Sequence, residues 1–234
     1  MLNILSRPWE VWDLEADNLR RVWGGPDHKT GRHWELLGVV SKLIKEKEVL
    51  DAGCGHGHLY SWLKNRNIDY LGFDNSKEML KIAREYFPEA KDRFVFGDIF
   101  NASKNFDQRD CVVCVDVLIH LPNPAKALYE LWKLTKKTLI LTLRLGKKHI
   151  GVRQQLSWNR FPHTTQTFPK DKYLILRIDN PREVYEAFGT LPDLGCVERF
   201  YYDERTEIFR LTKGILDYKE VKRAYEKGYS LYSH

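Results

Sequence analysis

Apolar residues recur along the chain at two spacings, and the spacing switches repeatedly. Leu36, Leu37, Val40, Leu43 and Ile44 fall three and four apart, which predicts a helix over 33–45. Glu48 to Ala52 is a short apolar run and predicts a first strand. Gly57 to Lys64 then predicts a helix carrying Leu59, Trp62 and Leu63 on one side. Tyr70 to Asp74 predicts a second strand. Ser76 to Phe87 predicts a helix with Met79, Leu80, Ala83 and Phe87 apolar, stopped by Pro88. Phe94 to Asp98 is a third strand, and Cys111 to Val117 a fourth, apolar enough to be buried on both faces. Asn123-Pro124 pairs a capping residue with a proline in the first turn, so a helix runs from there to about Leu134. Thr138 to Leu145 is a fifth strand. Asn180-Pro181 repeats the start signal, and Gly189 ends that helix after Phe188. Val197–Tyr202 and Glu207–Thr212 are two late strands joined so tightly that they must pair antiparallel. Alternating strands and helices predict an α/β fold with a mostly parallel sheet between helical layers.

Two stretches break the rhythm. Residues 146–179 are too long for a plain connection, and such segments often serve as lids or binding loops. A hairpin of Thr164–Phe168 with Tyr173–Ile178 around PKDK is expected inside it. The first 30 residues hold Trp9, Trp12 and Trp23, with helical periodicity only from Val11 to Val22, as a lid or a packing arm would. The expected organisation is one domain over 1–234. An arm and helix (1–47) precede a core (48–145). An insertion (146–179), a last helix with antiparallel strands (180–213) and a tail (214–234) follow.

Composition narrows the class. The 234 residues are 43% hydrophobic and 30% charged, which fits a soluble globular chain and not a disordered one. The net charge of +6 permits an acidic substrate or nucleic acid without demanding either. The pairs Lys136-Lys137 and Lys147-Lys148 read as solvated faces. No run approaches the ~20 apolar residues of a membrane span, and no signal peptide is evident. Cys111 and Cys114 form a CxxC, but on a strand such side chains point to opposite faces, and no second pair exists. Reduced core cysteines and a cytoplasmic location are therefore expected.

The chemistry concentrates in VLDAGCGHGHL, Val49 to Leu59. A strand runs into Gly53-Cys54-Gly55-His56-Gly57 and a helix follows, so free N–H groups and a partial positive charge meet a close-approaching ligand. The dinucleotide fingerprint GxGxxG would need a third glycine at His58 and lacks it. Asp51 stands two residues before the first glycine. It would repel a pyrophosphate and attract an ammonium, which favours an amino-acid moiety over NAD. Asp74 closes the second strand, where a carboxylate can accept both hydroxyls of a ribose; capping the next helix is the alternative. Asp98 follows the third strand and could accept an adenine amino group, or simply serve a turn.

These motifs, with GFDNSKEMLKIARE, FVFGDI and CVDVLIHLPNP, resemble class I S-adenosylmethionine-dependent methyltransferases, in particular the small-molecule group that includes ubiquinone-biosynthesis-like enzymes (methyltransferase type 11). The resemblance covers about residues 48–145, and more weakly runs to about 213. It implies a Rossmann-like αβα sandwich with seven strands in the order 3-2-1-4-5-7-6, the seventh antiparallel. It implies S-adenosylmethionine as methyl donor and S-adenosylhomocysteine as product. Asp51, Cys54 and the backbone of Gly53, Gly55 and Gly57 would surround the methionine part, and Asp74 the ribose. Asn75 and Met79 would flank the adenine, Asp98 and Ile99 would meet its edge, and the Val115 backbone would face the amino group. The DPPY motif of adenine N6 DNA methyltransferases is absent, as is the DN pair of metal-dependent catechol-type enzymes, so no metal is expected.

The resemblance does not identify the acceptor. Methyl transfer is an in-line displacement in which alignment supplies much of the rate. His120, after the fourth strand, is the candidate base; orienting a loop or packing on the cofactor is its other reading. Arg144 could pair an acidic group of the acceptor, and Trp23, Trp158 and His163 supply rings for a planar one, alongside Arg153, Arg160 and Phe161. The expected reaction is methylation of an O or N atom of a small, acidic or aromatic molecule. RNA or protein as acceptor, an NAD-dependent oxidoreductase, and a binding protein without catalysis are the competing readings.

Overall fold

The computed structural model describes residues 10–146, 150–155, 174–179, 181–204 and 206–214. The first described element is helix α1 (Glu10–Trp23), where the sequence showed periodicity from Val11 to Val22. Gly24 follows at φ 68° and its N–H donates to the Arg20 carbonyl, a left-handed glycine stop. Helix α2 (Arg32–Leu43) buries Trp34, Leu36, Leu37 and Val40, the stripe that its spacing predicts.

Strand β1 (Glu48–Ala52) leads through the glycine loop into helix α3 (His58–Leu63). Strand β2 (Asp69–Asp74) leads into helix α4 (Lys77–Tyr86), with Ser76 as cap: its hydroxyl accepts from the Met79 N–H at 3.1 Å. A 3₁₀ stretch, Pro88–Arg93, precedes strand β3 (Phe94–Phe96). A second one, Ile99–Asn101, runs into the one-turn helix α5 (Ala102–Asn105). Strand β4 (Arg109–Cys114) ends three residues before the expected Val117, because Asp116 turns to φ 54° and takes the chain out of the sheet. Helix α6 (Pro124–Leu134) starts at its Asn-Pro signal, and the Asn123 side chain accepts from the Lys126 N–H. Strand β5 (Thr135–Arg144) follows.

The expected hairpin has a different first arm. Strand β6 (Ile150–Gln155) pairs antiparallel with strand β7 (Leu174–Ile178), whereas 164–168 lies outside the described residues. Helix α7 (Pro181–Gly189) precedes strands β8 (Leu194–Tyr201) and β9 (Thr206–Lys213).

The main sheet has seven strands in the order β3-β2-β1-β4-β5-β9-β8. The first five pair parallel; β9 is antiparallel to both β5 and β8. Numbered within that sheet, this is the expected 3-2-1-4-5-7-6. One face carries Leu50, Ala52, Val112, Cys114, Leu139 and Leu141 against α6 and α7; the other carries Val49, Cys111, Val113 and Ile140 against α2, α3 and α4. Cys111 and Cys114 thus point into opposite cores, both fully buried and free. The strand order reverses between β1 and β4, so the loops leaving their carboxyl ends diverge and open a crevice there.

Candidate active site

The crevice is walled by loops that the sequence makes turn sharply. Gly53, Gly55 and Gly57 all have positive φ, at 76°, 51° and 72°. A Cβ on Gly57 would stand 2.5 Å from Phe94 Cε1, so this glycine lets α3 begin against the core. A Cβ on Gly55 would meet nothing within 4 Å and would project into open space, the mark of a backbone left bare for a ligand. The loop is pinned from behind: the N–H groups of Gly53 and Cys54 both donate to the Phe73 carbonyl, at 2.8 and 3.0 Å.

Two carboxylates flank this turn, Asp74 half-buried and Asp51 buried. Asp74 Oδ2 accepts from the Gly55 N–H at 2.9 Å, and its Oδ1 accepts from the Ser76 N–H at 2.9 Å. Burial raises its carboxyl above the ordinary range, opposed by the N–H groups of Ser76, Gly55 and Asn75. Asp74 thus closes the turn before α4, but the cap of that helix is Ser76 and not Asp74 as the alternative reading had it. Asp51 is 4% exposed and Tyr70 donates its hydroxyl to Oδ2 at 2.7 Å. Burial pushes the Asp51 carboxyl up to about 7, against the lowering effect of Tyr70. Among the described residues no cation pairs with Asp51.

The cavity above these loops has a volume of about 540 Å³. Its wall includes Asp51, Gly53, Cys54, Gly55, Asp74, Asn75, Met79, Ile99 and Val115 from the expected donor site. It also includes His120, Arg144 and Trp23 from the expected acceptor side. Gly57 is not on the wall and serves packing. Asp98 is not on it either: its Oδ1 accepts from the Phe100 N–H at 2.9 Å, the turn role, while its neighbours Gly97, Ile99 and Phe100 line the cavity. Trp158 and His163 lie outside the described residues. Among the described residues no group of three or more His, Cys, Asp or Glu side chains is arranged to hold a metal ion.

Helix α1 closes one side, which sequence reasoning left open between lid and packing arm. Ala16 and Leu19 pack on Met79 and Ile82 of α4, and Asp13 Oδ1 accepts from the Ser76 hydroxyl at 2.7 Å and the Glu78 N–H at 3.2 Å. Trp12 sets its ring edge-on to His120, centroids 4.7 Å apart. The Trp34 indole donates to the Trp23 carbonyl at 2.6 Å and ties α1 to α2.

Sequence reasoning missed a cluster beneath Trp23. Its ring stacks on His33 at 4.2 Å, and His33 Nε2 lies 3.0 Å from His58 Nδ1. His56 is 1% exposed, and among the described residues neither of its ring nitrogens has a hydrogen-bond partner within normal geometry. Burial holds His33 near 4 and His56 near 3, and lowers His58 as well, so all three imidazoles are neutral around pH 7. Arg32 and Asp116 were also missed. Arg32 begins α2 and reaches Asp203 at 2.8 Å, Asp116 at 3.4 Å and the Thr206 hydroxyl. The spacing GHGH was the only visible signal for the histidines; nothing local marks Arg32, whose partners are 84 to 174 residues away.

The family described as Methyltransferase domain matches residues 50–141. Those residues run from β1 through β5 and include Asp51, Asp74 and the glycine loop. Over those residues the chain is similar to methyltransferase domains, and its sheet order is that of the class I fold. The chain is 30% identical over 96 residues to a ubiquinone biosynthesis O-methyltransferase of Alkalilimnicola ehrlichii, covering 40% of this chain and 39% of that protein. The same-named protein of Photobacterium profundum is 34% identical over 135 residues, covering 53% and 52%. The chain thus spans between two fifths and about half of these curated relatives. Among solved structures, magnesium protoporphyrin IX methyltransferase from Synechocystis PCC 6803, with bound S-adenosylmethionine, aligns with a TM-score of 0.64 at 18% identity, over 92% of this chain and all of that one. A Haloferax volcanii methyltransferase in complex with the Trm112 activator aligns with a TM-score of 0.63 at 18% identity, over 87% and 97%. These likenesses show a shared fold.

Proposed function

We propose that the chain transfers a methyl group from S-adenosylmethionine to an oxygen or nitrogen atom of a small molecule. The observation that carries this reading is the buried Asp51 carboxylate at a bare-backbone glycine turn. It stands at the switch point of the sheet, and among the described residues no cation pairs with it. A pyrophosphate would add negative charge beside Asp51 and Asp74, whereas an ammonium or sulfonium compensates it. The group fits the residues present. Asp51 and the Gly53–Gly55 backbone would hold the amino-acid part, Asp74 the ribose, and Asn75, Met79 and Ile99 the adenine. The Val115 backbone completes the wall. When bound, S-adenosylmethionine supplies a methyl group made electrophilic by its sulfonium sulfur.

The chain's own contribution is orientation and exclusion of water. Trp12, Trp23, Leu19 and Val22 cover the cavity from α1, and Phe100, Val117 and Leu121 close the opposite side. Of the two roles open to His120, we favour orientation, supported by its edge contact with Trp12. His120→Ala should then lower turnover by less than about tenfold, where loss of a general base costs ~10²–10⁴. We place Arg144 and Trp23 at the acceptor end of the cavity. A small acceptor is favoured over nucleic acid because basic surface residues are paired: Lys136 with Glu48, Lys137 with Asp110, and Arg93 and Arg109 both with Asp69. No helix among the described residues is long and apolar enough to cross a membrane. Four free buried cysteines support a reducing, cytoplasmic setting.

Calorimetry with S-adenosylhomocysteine, S-adenosylmethionine and NAD tests the donor assignment. Binding of the first two and not of NAD is expected; binding of NAD alone refutes it. Transfer of radiolabelled methyl from S-adenosylmethionine to a panel of hydroxylated and amino aromatics tests the reaction.

A further inference from the structure

Tyr70 lies in β2 and is 2% exposed. Its register partner on β1 is Val49, while Asp51 pairs with Gly72. The tyrosine and Asp51 are therefore diagonal neighbours, and the phenol reaches the carboxylate by crossing Gly72. A Cβ at position 72 would stand 2.7 Å from the Tyr70 hydroxyl oxygen, so the bare backbone of glycine keeps that path open. The hydroxyl donates to Asp51 Oδ2 at 2.7 Å, and among the described residues it is the only donor to that carboxylate. Asp51 itself stays on the cavity wall. Aromatic packing fixes the phenol ring, with the Tyr60 centroid at 5.2 Å and that of Phe94 at 5.9 Å. A phenylalanine would fill the slot without a buried polar group to satisfy. What the hydroxyl adds is a hydrogen bond to a group that must be charged when an ammonium arrives.

We infer that Tyr70 is a positioning residue for the methyl donor: its hydroxyl fixes one oxygen of Asp51 and favours the anionic form that meets the donor's ammonium. The inference rests on the donor reading above. Among the described residues the other groups around Asp51 oppose that form or are engaged elsewhere. Asp74 at the end of β2 is a like charge. The Cys54 thiol of the loop, the Cys114 thiol of β4 and the Tyr60 hydroxyl of α3 are neutral, since burial raises all three. Arg84 of α4 donates to the Phe94 carbonyl at 2.6 Å. Burial and the neighbouring Asp51 raise the Tyr70 hydroxyl well above its ordinary range, so it stays a donor while Asp51 titrates. Binding of the ammonium then requires Asp51 to release its proton, and affinity is lost as pH falls through about 7. Without the hydroxyl that midpoint moves up, because the ionised form loses its hydrogen bond.

The experiment uses the full chain and two ligands: S-adenosylhomocysteine, which carries the ammonium, and 5′-methylthioadenosine, which lacks the amino-acid part. Calorimetry gives their affinity ratio from about pH 6 to about pH 9 for wild type, Y70F, D51N and the double variant. In wild type the preference for S-adenosylhomocysteine should fall by about tenfold from pH 8 to pH 6, as one titration centred near 7 requires. In Y70F it should be lower still at pH 6, by roughly tenfold to a hundredfold, as loss of a hydrogen bond to a charged group implies. The gap should narrow towards pH 9, where the carboxylate ionises in either protein, and 5′-methylthioadenosine should bind Y70F as it binds wild type. D51N should remove the pH dependence, and adding Y70F to it should change the ratio by less than about twofold. A wild-type ratio that is independent of pH overturns the inference without any variant. So does Y70F if it weakens both ligands equally at every pH, leaves the ratio unchanged, or acts as strongly in the D51N background. Failure of S-adenosylhomocysteine to bind wild type at any pH in this range would instead sink the donor reading.

Discussion

Replacing Asp51 by Asn should stabilise the ligand-free protein, and more so as pH rises. The carboxyl is 4% exposed, and burial holds it at about 7. In the unfolded chain it ionises at about 4. Between these values the folded state keeps a proton that the unfolded chain has released. The unfolded state therefore binds fewer protons, and stability falls as pH rises through that window. Full ionisation corresponds to about 4 kcal/mol, and the loss between about pH 5 and about pH 8 to about 2–3 kcal/mol. Asp51→Asn removes this term and can still accept the Tyr70 hydroxyl. Urea denaturation at both pH values, without ligand, should show the variant gaining on wild type by roughly that difference. With saturating S-adenosylhomocysteine the gap should shrink or reverse, since an ammonium beside Asp51 favours its ionised form. A variant no more stable than wild type near pH 8, or a difference independent of pH, would refute the assignment of a strained, uncompensated carboxylate.

Three further outcomes follow from the packing. Gly57→Ala forces a Cβ against the Phe94 ring at φ 72°, and should cost about 2–4 kcal/mol in denaturant titration. Asp13→Ala removes the acceptor for the Ser76 hydroxyl and the Glu78 N–H; it should cost about 1 kcal/mol and speed hydrogen exchange in α1 more than in β1. Cys111 and Cys114 should resist a thiol reagent in the native state and react together on unfolding, because burial raises both thiols and places them in separate cores.

The fold was legible because local signals and global pattern agree. Asn123-Pro124 starts α6 where its cap chemistry says it must, and EVLDA is the observed β1 without adjustment. The glycine-loop wall of the cavity was legible too, since Asp51, Gly53, Gly55 and Asp74 sit at strand ends that periodicity locates. Failures arose where tertiary contacts decide. An apolar run suggested that β4 continues to Val117, but the Thr142 hydroxyl captures the Asp116 N–H and ends it. The partner of β7 is set by pairing across a long connection, which no local residue encodes. Arg32, His33 and His58 meet the cavity only because α1 and α2 fold over α3, a juxtaposition absent from any window of sequence.

The placement of β9 has a consequence for biosynthesis. It slots between β5 and β8, so the apolar edge formed by Leu139, Leu141 and Leu143 stays unpaired until the chain is made as far as Lys213. A nascent or prematurely truncated polypeptide displays that edge as a template for other strands. Ribosome stalling shortly before Thr206 would therefore yield a species prone to aggregate, even with the whole glycine-loop half already synthesised.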